Sequence, residues 1–199
     1  ANPCVESPDF PYGHLPLTLA SAIADAAPGA DPLAAARLLS GLGGVLLVAA
    51  TGKMGATLSR TRLGGFAAGA LATFCPFLIQ QAHFYTVDPW AALFATLAVT
   101  SALRRRWAVA GAMIGFGVAC KASLVWMGLA MGVAVMILKP RRAWLPIFGS
   151  FAIAGLGGLF VGAPWSLVTP IGCWRGPLIQ AQMASGRFVF PYTLQYAKT

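Results

Sequence analysis

The stretch Gln81-Ala-His83-Phe-Tyr-Thr-Val-Asp88-Pro89-Trp-Ala-Ala-Leu-Phe-Ala-Thr-Leu-Ala-Val-Thr-Ser-Ala-Leu103-Arg104-Arg105-Arg106 decides the fold. A polar turn ends in one carboxylate, an uncharged apolar run follows, and three arginines close it. Asp-Pro at the head of this run is an ordinary helix start. Asp88 is also the only acidic residue after Asp31, and a second apolar segment, Leu63–Gln80, precedes it. The stretch therefore predicts two helices with a carboxylate at the turn between them.

The rest of the chain repeats this pattern. Of its 199 residues 58% are hydrophobic and only 10% are charged, whereas soluble domains carry about a quarter charged residues. Lipid is the solvent such a composition suits. Breaking the sequence at its charges gives the candidate spans Pro32–Ala50, Leu63–Gln80, Pro89–Leu103, Trp107–Cys120, Ala122–Leu138 and Ala143–Gly162. A full crossing needs about 20 residues, so the third and fourth borrow flanking residues or cross thinned bilayer. His14–Ala27 is shorter, contains Asp25 and reads as an interfacial or re-entrant helix. The expected fold is all-α: a polytopic transmembrane helical bundle of about six spans plus a short interfacial helix. Residues 1–31 form an outer loop, 32–162 the transmembrane domain and 163–199 an outer segment. Ala1 in place of Met, and a polar tail ending at Thr199, are read as the ends of a piece of a longer protein.

A net charge of +9 would suggest a nucleic-acid partner in a soluble protein. Here most bases fall in short turns, so topology explains them and no nucleic acid is expected. Lys53, Arg60 and Arg62, then Arg104 to Arg106, then Lys139, Arg141 and Arg142 define one set of loops without an acid. The other set holds Glu6, Asp9, Asp25, Asp31 and Asp88. The positive-inside rule places the first set in the cytoplasm and the Asp88 turn outside. Lys121, in an outer turn, is the one short-turn exception. Tryptophans near span ends read as interfacial anchors. The pairs Gly65/Gly69, Gly111/Gly115, Gly128/Gly132 and Gly158/Gly162 are spaced for close helix approach. Cys75 and Cys120 sit in apolar segments, while Cys4 and Cys173 fall in polar segments on one side, where a disulfide would fit an oxidising compartment. No Cys or His spacing marks a metal site.

The polar residues worth weighing gather at the outer end. Arg37 lies about 7–8 Å inside the first span, counted at 1.5 Å per residue from Pro32. Lys121 stands alone in its turn, and His83 precedes Asp88 closely. Two cations and an acid at headgroup depth suit a phosphate-bearing lipid: arginine offers a fork, lysine a point charge, and the carboxylate can accept a proton. The competing reading is structural. Asp88 would then cap its helix, Arg37 would pair with Asp31 or Asp25, and Lys121 would snorkel to ordinary phospholipid.

Several segments carry a resemblance. Asn2-Pro3 with Phe10-Pro11-Tyr12-Gly13-His14-Leu15-Pro16-Leu17, Arg37-Leu-Leu-Ser40, His83-Phe-Tyr-Thr-Val-Asp88, Gly115-Phe-Gly-Val-Ala-Cys-Lys121, and Gln182-Met-Ala-Ser-Gly186 with Thr193-Leu-Gln-Tyr-Ala197 follow one another along nearly the whole chain. In this order they resemble the polyprenyl-phosphate-dependent glycosyltransferases of the C superfamily, the group of protein O-mannosyltransferases and aminoarabinose transferases. The resemblance implies an Asp-Glu pair in the first outer loop, upstream of Ala1, and a soluble region beyond Thr199. Glu6 and Asp9 lie too near Tyr12-Gly13 to stand in for that pair. The chain would then cover the middle of the membrane domain and be inactive alone.

The resulting expectation is a membrane glycosyltransferase, multi-pass in the bacterial inner membrane with its active site facing outward. It would move a sugar from a polyprenyl-phosphate donor to an acceptor protein, lipid or glycan. Asp88 would support catalysis, and Arg37, Lys121 and His83 would bind the donor. No cofactor is identified, and a divalent metal at Asp88 is left open. The alternative class is a polytopic transporter or lipid flippase, which usually carries ionisable groups near the midplane and an internal repeat; neither is found here. A non-catalytic membrane scaffold is the third class.

Overall fold

The computed structural model describes residues 12–26, 29 and 31–185. It is 86% helical, and no strand occurs among the described residues. The chain divides into two compact units, Gly13–Pro164 and a second made of Ala1–Tyr12 with Trp165–Thr199.

In the larger unit α1 is Leu15–Ala26, α2 Pro32–Ser59, α3 Arg62–Thr73, α4 Pro76–His83, α5 Asp88–Leu103, α6 Trp107–Cys120, α7 Val125–Leu138 and α8 Trp144–Gly162. Single 3-10 turns, Ala122–Leu124 and Arg141–Ala143, precede α7 and α8. The start of α2 follows from local chemistry: Asp31 Oδ1 accepts from the Leu33 N–H at 3.0 Å, and Pro32 occupies the first turn, where a missing N–H costs nothing. The helix runs nine residues beyond Ala50, the expected end of the first span. The sequence Thr51–Ser59 contains no proline, and the chain turns only at Arg60, which takes a left-handed φ of 57°.

The second expected span is not one helix. Pro76 forces Cys75 into extended backbone, so Leu63–Gln80 becomes α3 and α4, bent by 58°. The arginine run separates α5 from α6 as expected, with Arg105 at φ 59°. By length and composition two segments, Pro32–Ser59 and Arg141–Gly162, can cross a membrane, and the bent pair α3–α4 makes a third candidate. About six spans were expected, the third and fourth of them short; α5 and α6, of 16 and 14 residues, indeed reach only about 21–24 Å against a hydrocarbon core of about 30 Å. The chain is a helical membrane protein. Its exposed faces agree: Leu63, Phe66, Leu71 and Phe74, in and beside α3, are each about three-quarters exposed, an apolar surface too large for water.

The core lies where α2 meets α5 and α6, with Leu39, Leu47, Trp90, Leu93 and Cys120 buried. Leu15, Leu19 and Ala20 of α1 pack against it, so the short helix expected at the interface is docked on the bundle. α6 packs chiefly on α8 rather than on its neighbour α7. Two glycine pairs make this approach: a side chain at Gly111 would overlap the Phe151 carbonyl, and one at Gly158 the Ala112 carbonyl. Gly65 of α3 likewise sits against Gly52 and Ala56 of α2. Gly128 and Gly132 face side chains rather than backbone, a Cβ at Gly128 meeting the Ile114 methyl at 3.3 Å and one at Gly132 the Phe148 ring at 3.6 Å, so that fourth pair does not bring two backbones together.

In the smaller unit α9, Trp165–Val168, precedes α10, Pro170–Ala184. Trp174 Nε1 donates to the Ser166 carbonyl at 3.2 Å, tying α10 to α9. Cys75 and Cys120 are free and Cys173 is disulfide-bonded. Its expected partner, Cys4, lies outside the described residues, as do Glu6 and Asp9 and the tail segments beyond Ser185.

Candidate functional site

Asp88 and Lys121, 33 residues apart, meet at one point: Lys121 Nζ donates to Asp88 Oδ1 at 2.7 Å. Each is delivered by a helix end. Asp88 opens α5, and Lys121 closes α6 in extended backbone, its N–H donating to the Gly117 carbonyl at 2.8 Å. The position is held from the other side by Gly13, whose N–H donates to the Cys120 carbonyl at 2.9 Å. Only glycine fits there, because a Cβ would overlap the Ala119 carbonyl. The α6 end is thus clamped one residue before Lys121.

The reading of Asp88 as a helix cap fails. Val87 holds the cap position, and no side chain caps the helix. The carboxylate is turned to Lys121 instead. Both side chains are a little over one-third exposed, 38% for Asp88 and 35% for Lys121. An ion pair that open to solvent contributes about 0.2–1 kcal/mol or less to stability. The pair therefore adds little to holding the fold.

Beneath the pair lies a cavity of about 290 Å³ with largely apolar walls, among them Phe77 and Leu78 from α4, Ala92 and Ala95 from α5, and Leu124. Gln81 joins Asp88 and Lys121 at its polar edge. The Gln81 Oε1 accepts from the Thr86 hydroxyl at 2.8 Å, and the Thr86 N–H donates to Ser40 Oγ at 3.3 Å. Ser40 is fully buried in α2, so these bonds fasten the Asp88 turn to the core. Burial, with the nearby Cys120 thiol as a lesser cause, pushes the Tyr85 phenol up to about 12. Tyr85 is therefore protonated near neutral pH, and its buried hydroxyl has no hydrogen-bond partner among the described residues.

The other two expected site residues stand apart. Arg37 lies one turn before Ser40 but is exposed, and it makes no hydrogen bond or ion pair with Asp25, Asp31, Asp88 or His83. Asp31 is occupied in capping α2. His83 is exposed, and its Nδ1 donates to the Ile79 carbonyl at 2.8 Å within its own helix. The four residues do not form one cluster; the structure joins Asp88 and Lys121 only.

A divalent metal does not fit this site. Among the described residues no three His, Cys, Asp or Glu side chains converge, and the Lys121 ammonium already occupies the carboxylate and repels a second cation. The residues missed from the sequence were Gln81, Thr86, Ser40 and Gly13. Gly13 carried a signal in the Tyr12-Gly13-His14 segment, whereas nothing in spacing alone pointed to the other three. The chain matches no protein-family model, no curated protein and no solved structure.

Proposed function

We propose that this chain is part of a membrane glycosyltransferase that takes a sugar from a polyprenyl-phosphate donor, with Lys121 and Asp88 at the reacting end. The observation that carries the reading is the 2.7 Å Asp88–Lys121 pair at the edge of an apolar cavity. An isoprenoid chain needs apolar walls, and its phosphate needs a cation at their rim. The ordered segments that resemble the C-superfamily enzymes support the same reading.

In the free protein Lys121 is neutralised by Asp88. An incoming lipid phosphate would offer Lys121 a doubly bonding partner and release the carboxylate. An acceptor hydroxyl would then attack the anomeric carbon. The bond from that carbon to the phosphate oxygen breaks, and its electron pair leaves on the phosphate, where Lys121 stabilises the charge. The hydroxyl proton passes to a carboxylate. Asp88 serves as a second acid beside the main one that the family places in its first outer loop, and displacement from the opposite face inverts the anomeric centre. Arg37 would approach the phosphate from α2 and His83 from α4. The enzyme would sit multi-pass in a bacterial inner membrane with this end outward.

The direct test is transfer of labelled sugar from a polyprenyl-phosphate donor in membranes holding the full coding region. Asp88→Asn should lower turnover by about 10²–10⁴-fold with little change in donor binding. Wild-type turnover in Asp88→Asn would remove the catalytic role. Transport of the intact lipid without glycosidic cleavage would favour a flippase instead.

A further inference from the structure

At the opposite end of the bundle Lys53 of α2, Arg104 at the end of α5 and Arg106 at the start of α6 line a second cavity, of about 150 Å³. Topology alone accounts for bases in these turns, but not for three of them, from three elements, facing one space. Arg60, Arg62, Arg105, Lys139, Arg141 and Arg142 do not line it. The arrangement is held in place beforehand. Arg104 Nη2 donates to Thr57 Oγ1 at 2.9 Å, and that hydroxyl donates in turn to the Lys53 carbonyl at 2.7 Å. The left-handed turn at Arg105 separates Arg104 from Arg106 while both keep to the cavity.

Among the described residues the single ion pair is Asp88–Lys121, and no carboxylate there pairs with Lys53, Arg104 or Arg106. Their mutual repulsion falls when an anion binds between them. Arginine forks and a lysine match phosphate oxygens, and Ser101 adds a hydroxyl. The remaining wall is Thr100, whose hydroxyl is spent on the Thr96 carbonyl, with Leu97 and Met113 within and Val109 exposed at the surface. An apolar flank open to lipid beside a cationic floor suits a headgroup with its chains attached. We propose that Lys53, Arg104 and Arg106 form a binding site for the phosphate of an anionic membrane lipid, independent of the Asp88–Lys121 site.

The test is thermal unfolding of the purified chain in detergent, titrated with phosphatidylglycerol, phosphatidylcholine or inorganic phosphate. Wild type should be stabilised saturably by phosphatidylglycerol and much less by the other two. The variant Lys53→Gln/Arg104→Gln/Arg106→Gln should need at least about tenfold more phosphatidylglycerol, the ratio that loss of one charge-assisted contact already gives. The control Lys139→Gln/Arg141→Gln/Arg142→Gln removes equal charge elsewhere and should titrate as wild type. Equal weakening in both variants would reduce the effect to diffuse attraction, and an equal response to inorganic phosphate would make it a free-anion site; either overturns the proposal. If the triple variant does not fold, Arg106→Gln alone should still weaken the lipid response, and an unchanged titration there overturns it as well.

Discussion

Asp88 shows how much a single carboxylate can carry. It heads a helix without capping it, and the solvent-open pair with Lys121 contributes little to the fold. Asp88→Ala should accordingly shift the unfolding midpoint only slightly, by the equivalent of about 1 kcal/mol or less, as read by thermal denaturation. A large loss would mean that the carboxylate is structural after all. His14 is a different case. It is 6% exposed, and burial lowers its pKa from the ordinary 6.5. The unfolded chain then binds more protons in the window below pH 6.5 and above the lowered folded value, so stability is full above 6.5 and declines as pH falls through that window. Unfolding measured from pH 7.5 to 5 should show this decline in wild type and lose part of it in His14→Gln. A pH profile identical in the two proteins would count against it. Asp88 and Lys121 could be singled out from the sequence because charge is scarce in this chain. Their pairing could not, since it depends on how α5 and α6 end against one another. Arg37 was drawn in by its depth in the first span and His83 by its nearness to Asp88 in sequence; both are exposed, and neither bonds to the Asp88–Lys121 pair.

At the level of elements, glycine spacing was legible and proline was underweighted. Three of the four expected glycine pairs lie at close helix contacts, because backbone approach needs small residues wherever it occurs. Gly111→Leu should be severely destabilising, since its side chain would enter the Phe151 carbonyl; Gly132→Leu, facing only the Phe148 ring edge, should be much milder. Expression and thermal stability of the two variants in detergent would rank them, and equal behaviour would contradict the α6–α8 crossing. Pro76 split an apolar run that hydropathy joins, a local steric effect that averaging over a window hides. The α2 end was missed for the opposite reason. Lys53 looks like a boundary, but a lysine is a good helix former whose charge reaches polar surroundings along its stem.

For the whole molecule, composition fixed the class: an all-α membrane protein, with two or three helices long enough to cross. The number of crossings and their direction rest on the distribution of bases. In a Cys75→Ser background, a membrane-impermeant thiol reagent applied from outside should modify Phe84→Cys and spare Thr61→Cys, both at exposed positions; the reverse would invert the topology. The central claim is that the Asp88–Lys121 cavity receives a lipid phosphate. Its most direct test is equilibrium binding of a polyprenyl phosphate to the purified chain, compared among wild type, Lys121→Ala and Asp88→Asn. Lys121→Ala should weaken binding by about 1.5–3 kcal/mol, while Asp88→Asn, which removes the carboxylate that competes for the lysine, should leave binding equal or tighter. Undiminished binding in a folded Lys121→Ala protein would contradict the account.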